Sequence, residues 1–495
     1  MPDRDLATRS GNRLLPDPSR VIARLFVPGQ ELVGGSEPRA SAVVRRVLAL
    51  DETDIDRALA DVMRRFEDGH RDLADTFRHH AERISGRLAD GNLSDARRLL
   101  LGATFTHEYA IEGAALCNPS MVPDPDQSAA PEGGLRFIMS VRGIGEGHRS
   151  SIGFRTGTVH ADGAVAVDPA GPWPVVGTVT SGSFDRDAFH AALAQLGEDG
   201  ESAAYVLDDL GERFAEEDLE RGLLRLRRQH DTRQNAEDTI RRIRAIAARS
   251  YTAQFPADTA VSERVLWPAT QAESHGMGDA RFVRFVDDDG TVAYHATYTA
   301  FDGTTIAQQL LQTSDFLTFA AAPMVGLAAA NKGLALFPRR IGGRFAALSR
   351  HDHETNSVAF SANPCRWTHA EPFQFPRQPW ETIQLGNCGA PIETSEGWLV
   401  LTHGVGPMRT YRIGAVLLDL DDPTRLIGRL TEPLLSPTAD EQPGYVPNVV
   451  YSCGGLVHAD TLVIPYGIAD TAIGIATVPL ADLMAALDRR QPQVG

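Results

Sequence analysis

"WLVLTHGVGPMRTYRIGAVLLDLD", Trp398 to Asp421, is an apolar strand, a polar turn and a second apolar strand. The same unit stands at four other places. These are "LRFIMSVRGIGEGHRSSIGFRTG" from Leu135, "VAYHATYTAFDGTTIAQQLLQTSD" from Val292, "RFAALSRHDHETNSVAFSANP" from Arg344 and "TLVIPYGIADTAIGIATVPLA" from Thr461. Most have a further short strand beside them, as in "GDARFVRFVDDDG" and "NVVYSCGGLVHAD". Late in the chain the units recur at roughly 50–60 residues, near the upper end of propeller repeats. The expected fold is mainly β, a five-bladed β-propeller.

Two blocks read differently. From Asp51, "DETDIDRALADVMRRFEDGHRDLADTFRHHAERISGRLADGNLSDARRLLLGATF" spaces its apolar residues at three and four, the period of helices. Asp51, Thr53 or Asp54 can cap the first of them. A second block, Asp185 to Ser250, alternates its charges at helical spacing. The expected organisation is an N-terminal helical extension over 1–98, the first part of the propeller over 99–184, a helical insertion after the first blade over 185–250, and the rest of the propeller over 251–487.

The bulk numbers limit the partners. The 495 residues are 42% hydrophobic and 23% charged, enough for a large core or more than one. The net charge of -17 argues against nucleic acid and against an anionic membrane surface. Cys117, Cys365, Cys388 and Cys453 form no CxxC pair, so neither a zinc site nor a disulfide framework is expected. "MPDRDLATRS" has no apolar core and "FLTFAAAPMVGLAAANKG" is too short to span a bilayer, which gives a cytoplasmic expectation.

In a propeller, polar residues at comparable points of each blade face one ligand. Reading that point gives Arg142, Tyr298, Arg350, His403 and Tyr466; ordinary strand-end polarity is the plainer explanation for each alone. Asp279, in "SHGMGDARFVRF", opens the second repeat, with Arg281 at same-side strand spacing to hold or polarise a carboxylate. A turn residue is its bland alternative. "CNPSMVPDPDQ" brings Asn118 and Ser120, whose amide and hydroxyl suit sugar hydroxyls, with Asp124 and Asp126 able to do the same. It would otherwise be a proline-stiffened connector. Lys332, Arg350 and His351, with Arg142, could surround an oxyanion such as phosphate. Tyr466 and Asp470, in "YGIAD", could contact a sugar. The clusters "HHAER" and "RHDHE" define no metal ligand set, so no metal is expected.

Taken together, "NPSMVPDPDQ", "GMGDARFVRF", "YTAFDG", "NKGLALFPRRI", "LTHGVGPMRTYRIGAVLLDLDDP" and "NVVYSCGG…IPYGIAD" resemble glycoside hydrolase family 130, the β-mannoside phosphorylases and β-mannosidases. The resemblance runs from about Leu99 to Leu487, interrupted by the helical block, and implies a five-bladed propeller. It implies Asp279 as the general acid of an EDPR- or EDAR-like motif, with Gly278 standing where the glutamate would be. Asn118 and Ser120 resemble the sugar-contacting pair, and Arg142, Lys332, Arg350 and His351 the phosphate positions; Tyr466 and Asp470 fall at a sugar or phosphate contact. The implied reaction is inverting phosphorolysis of a β-mannoside to α-mannose 1-phosphate, reversible, with inorganic phosphate as co-substrate and no cofactor. The competing expectations are an inverting β-mannosidase that uses water, and a non-catalytic glycan-binding propeller. The N-terminal helices and the insertion are expected to pack on the rim or to form a contact in a homo-oligomer.

Overall fold

The computed structural model describes residues 6–29, 32–33, 37–85, 93–195, 200–228 and 236–489. It divides into two compact units. One comprises Met1–Pro16, Ala114–Ala170 and Val176–Gly495; the other comprises Asp17–Gly113 and Gly171–Val175.

The larger unit is mainly β. Four strands in succession recur along it as antiparallel meanders. The first group is Ala115–Pro123, Leu135–Ile144, Ser150–Val159 and Val165–Val167. The second is Gly276–Val286, Val292–Phe301, Ile306–Thr313 and Thr318–Pro323. Ala335–Leu336, Phe345–Ser349, Asn356–Ser361 and Ala370–Gln374 follow. The fourth group is built on Gln384–Asn387, Gly397–Gly406, Thr410–Leu418 and Leu426–Arg429. The fifth holds Val450–Tyr451, Thr461–Ile468 and Ala472–Pro479.

Inner strands such as Phe345–Ser349, Gly397–Gly406 and Thr461–Ile468 are buried on both faces, which explains their continuous hydrophobic runs. Along Gly397–Gly406, Trp398 and Val400 enter a core with Phe337 and Leu348 of the third group. Their neighbours Leu399 and Leu401 enter another core with Leu462 and Ile464 of the fifth. The fifth group in turn shares Val463, Ile473 and Ile475 with Leu116, Phe137 and Met139 of the first. The first meets the second through Phe154, whose ring lies 6.0 Å from that of Phe282 and 5.7 Å from that of Phe319. Val283 and Phe285 join Leu336 and Phe345 of the third. Each group therefore contributes to two cores, and the last packs on the first.

The fifth group takes its outer strand from the start of the chain. Thr8–Leu14 pairs antiparallel with Ala472–Pro479, Thr8 opposite Thr477 and Leu14 opposite Ile473. This departs from the expectation of one helical extension over 1–98. "TRSGNRL" carries no apolar alternation, so its strand state comes from the edge it completes and not from its own pattern. The helical unit also runs beyond residue 98, to Gly113. Its helices are Arg39–Leu48, Glu52–Phe66, Leu73–Ser85 and Asp95–Thr104. Asp51 caps the second by accepting from Asp54 N–H at 2.8 Å. Val44, Val47, Ile55, Ile84, Leu101 and Phe105 form their core.

Helices Arg186–Gln195, Glu201–Leu207, Glu216–Arg228 and Ala236–Ala247 interrupt the larger unit. Leu193, Val206, Leu219, Leu226, Ile240 and Ile243 are their buried face. Their flanking strands, Thr178–Ser181 and Tyr251–Gln254, pair with each other, and the latter continues the sheet from Thr318–Pro323. The helical block thus hangs from the outer edge of the second group. No helix among the described residues is long and apolar enough to cross a membrane.

Candidate active site

Asp279 is presented by a bulge. The pairing of Gly276–Val286 with Val292–Phe301 is regular to Gly278↔Thr299 and resumes at Arg281↔Thr297. Asp279 sits in the break with φ 56°. The first group repeats the device: pairing is regular to Cys117↔Arg142 and resumes at Ser120↔Ser140, with Asn118 in the break at φ 50°. Bulges re-aim side chains, and a left-handed backbone at a residue other than glycine is strain retained only where the surroundings hold it. The two bulges turn Asn118 and Asp279 toward each other, and the Asn118 amide donates to Asp279 Oδ1. Ser120 braces the pair, its hydroxyl accepting from Phe282 N–H at 3.1 Å.

Cations surround this carboxylate. Arg142 Nη1 lies 3.9 Å from Asp279 Oδ1. Its stem crosses Gly278, where a Cβ would fall 2.5 Å from Arg142 Cδ. That contact accounts for a glycine at the position before the acid. Arg281 does not bond the carboxylate: Nη1 donates to the backbone oxygen of Asp279 at 3.0 Å and Nη2 to Tyr451 Oη at 2.6 Å. Arg350, 5% exposed, runs past Gly333 and Gly386 and donates to the His353 carbonyl at 3.1 Å. Its Nη1 is 3.5 Å from His403 Nε2. His403 donates from Nδ1 to the Asn387 carbonyl at 3.1 Å, so Nε2 is left as the acceptor. Burial, then the Arg350 and Arg281 charges, push His403 well below the usual histidine range and keep it neutral. Lys332 is exposed and acts on the site through its charge, on Asp279, Asp470 and His403.

The two carboxyls of the site are driven apart. Burial would raise Asp279, but Arg142, Lys332, Arg281 and the Asn118 hydrogen bond outweigh it and bring it to about 2. Asp470, at φ 48° in the turn after Thr461–Ile468, is raised, by burial first and by Asp279, against the pull of Arg142, Lys332 and Arg409.

Several expected residues lie elsewhere. Tyr298 is fully buried, donating to Glu273 Oε1 at 2.5 Å. The register gives the reason: Thr299 is the partner of Gly278 as Arg142 is of Cys117, so Tyr298 is one residue out and faces the other way. Tyr466 donates to Glu441 Oε1 at 2.7 Å, while Gly467 is the residue paired with Tyr451. The Ser120 hydroxyl is fully buried and accepts from the Phe282 amide. His351 follows Arg350 into a turn beside Asp352. Asp124 and Asp126 are turn residues at the far end of their strand, Asp126 N–H donating to Asp124 Oδ1 at 2.9 Å. Among the described residues, no group of three or more His, Cys, Asp or Glu is placed to hold a metal ion.

Sequence reading missed three residues. Tyr451 holds Arg281 and sets its ring edge-on to His403, centroids 5.0 Å apart. Asn387 fixes the His403 tautomer and donates to the Gly333 carbonyl at 2.7 Å. Thr299 keeps a buried hydroxyl without a protein partner. Only Tyr451 had a signal, its place in "NVVYSCGG".

The family model described as beta-1,4-mannooligosaccharide phosphorylase, that of glycoside hydrolase family 130, matches residues 237–489, just over half of the chain. That span holds Asp279, Arg281, Lys332, Arg350, His403, Tyr451 and Asp470; Asn118 and Arg142 reach the same site from outside it. A 1,2-beta-oligomannan phosphorylase of Thermoanaerobacter sp. (strain X514) is 38% identical over 221 residues, 43% of this chain and 72% of that protein. A beta-1,2-mannobiose phosphorylase of Listeria innocua serovar 6a is 31% identical over 235 residues, 45% of this chain and 63% of that protein. A solved structure of the Listeria innocua enzyme with beta-1,2-mannobiose aligns at TM-score 0.45 and 20% identity, over 76% of this chain and 92% of that one. The chain belongs to glycoside hydrolase family 130.

Proposed function

We propose that the protein is an inverting glycoside phosphorylase that converts a β-mannoside and inorganic phosphate into α-mannose 1-phosphate and a free sugar. The observation that carries this reading is a buried carboxylate ringed by Arg142, Arg281 and Lys332. The curated relatives it matches are named as phosphorylases of β-mannosides. A phosphate oxygen attacks C1 from the face opposite the glycosidic bond. That bond breaks toward its oxygen, which takes a proton from Asp279, directly or through a sugar hydroxyl. The cations offset the negative charge as phosphate closes on the sugar. Asn118 orients the acid, while Asp470 stands ready for sugar hydroxyls. Run backward, the same steps transfer mannose from mannose 1-phosphate to an acceptor sugar.

Held at about 2 by its cations, Asp279 is ionised and must acquire a proton before it can act as the acid. A phosphate dianion among the same cations neutralises them, so the acid gains its proton as phosphate binds. The five strand groups, each packed on the next and the last on the first, support a five-bladed propeller with the site at one end of its axis. A cytoplasmic setting, where phosphate and mannose 1-phosphate are retained, suits the reaction. The inserted helices are assigned to rim packing or to a contact in a homo-oligomer, and the helical unit to such a contact.

One observation favours hydrolysis as a second reading: Asp470 is another carboxyl in the same field of charge, made more basic than an ordinary aspartate by burial, as suits a base for water. The assay is cleavage of β-1,2- and β-1,4-linked mannosides with and without phosphate, scored for mannose 1-phosphate. Cleavage at equal rate without phosphate rejects phosphorolysis.

A further inference from the structure

The chain between Arg429 and Val450 crosses the turn that carries Asp470. Tyr445 N–H donates to Thr471 Oγ1 at 2.8 Å and Val446 N–H to the Ala469 carbonyl at 2.9 Å, so the crossing is bonded on both sides of Asp470. Gly444 permits the approach, since a Cβ there would lie 2.4 Å from Ala469 Cβ. The Tyr445 side chain is 52% exposed, yet it is held. Its hydroxyl is 2.9 Å from His148 Nδ1, and the two rings are 5.6 Å apart at 33°. His148 lies in the turn that follows Leu135–Ile144, the strand of Arg142. An exposed aromatic pair thus bridges two rim turns, one beside Asp470 and one beside Arg142.

The crossing is anchored from behind. Glu441, 3% exposed, accepts from Arg9 Nε and Nη2, both at 3.1 Å, and from Tyr466 Oη at 2.7 Å. Arg9 Nη2 also donates to the Ser436 carbonyl at 2.7 Å. Arg9 belongs to the N-terminal strand, which no part of the proposed chemistry uses.

We propose that Tyr445, steadied by His148, is a binding wall for the sugar on the leaving-group side of the scissile bond, and that Arg9 positions it through Glu441. This rests on the phosphorolytic reading. Phosphate and the terminal mannosyl unit take the buried end, where Asp279, Arg281 and Arg350 are each under a tenth exposed. The departing sugar is left the rim. There a tyrosine ring offers an apolar face to the C–H side of a pyranose, its hydroxyl already occupied by His148.

The test is kinetics of the full chain on β-1,2-mannobiose. Tyr445→Ala is expected to raise the mannoside KM about fivefold, the worth of one aromatic contact, with the phosphate KM unchanged. Tyr445→Phe keeps the ring and loses only the His148 bond, so its KM falls between wild type and Tyr445→Ala; Arg9→Met raises the same KM by a smaller factor. An unchanged mannoside KM in Tyr445→Ala overturns the wall, as does a Phe variant as poor as the Ala variant. A rise confined to the phosphate KM in Arg9→Met overturns the positioning role. If the wild type turns over no mannoside, the function reading fails instead, and calorimetric titration of β-1,2-mannobiose decides the wall. Weaker binding by Tyr445→Ala sustains it; equal binding, or none to either protein, overturns it.

Discussion

Asp279 is the residue on which the proposed chemistry turns. Asp279→Asn keeps the shape and the Asn118 contact but removes the proton. Turnover is expected to fall by at least about 10²-fold, the lower end of what acid assistance supplies. Steady-state assay of mannose 1-phosphate checks it. A second outcome follows from the charge. If phosphate binding raises Asp279 until it protonates, binding takes up protons from solution near neutral pH. Calorimetric heats of phosphate binding will then vary with the buffer's ionisation enthalpy, and Asp279→Asn will abolish that variation. The stability consequence has a fixed sign. A carboxyl lowered to about 2 stabilises the fold above its unfolded pKa, and that contribution is lost as pH falls toward 2. Denaturant melts should separate wild type from Asp279→Asn at pH 7 and bring the two together in acid. Asp279 was legible as a candidate because Arg281 follows it at same-side strand spacing and the segment opens the second repeat. Tyr298 was misplaced because side chains alternate at a period of two and the bulge shifts the count by one.

At the scale of the element, the bulge pair is the working part. It depends on a bare glycine and on one hydroxyl. Gly278→Ala puts a Cβ into the Arg142 stem, which must swing away from Asp279. The phosphate KM is expected to rise about tenfold, as for the loss of one charge-assisted hydrogen bond, with the strand intact by circular dichroism. Ser120→Ala strips the acceptor from the buried Phe282 amide. That should cost about 1–3 kcal/mol, read as a lower urea midpoint. Neither bulge was legible beforehand. A bulge is a mismatch between two strands, and a single strand's sequence does not say which partner residue is skipped. The apolar runs were legible because strands buried on both faces must be apolar throughout, as Trp398 to Leu401 show.

At the scale of the molecule, the N-terminal strand joins the ends of the larger unit. Deleting the residues up to Leu14 exposes the edge of Ala472–Pro479 and removes Arg9 from Glu441. The truncated protein should melt at lower temperature by calorimetry and associate more readily by sedimentation, since an unpaired edge strand is a template for further pairing. The sequence by itself determined the repeated strand–turn–strand units, the helical character of the two interrupting blocks, the family, and the candidate acid and cations as residue types. Those follow from local period and composition, which one stretch of chain carries alone. Tertiary structure alone decided that Thr8–Leu14 is a strand, that Asn118 and Asp279 meet, that Tyr451 holds Arg281, and that Tyr298 and Tyr466 turn away. Each of those is a contact between segments far apart in the chain, or a register between two strands, and neither is a property of a single stretch.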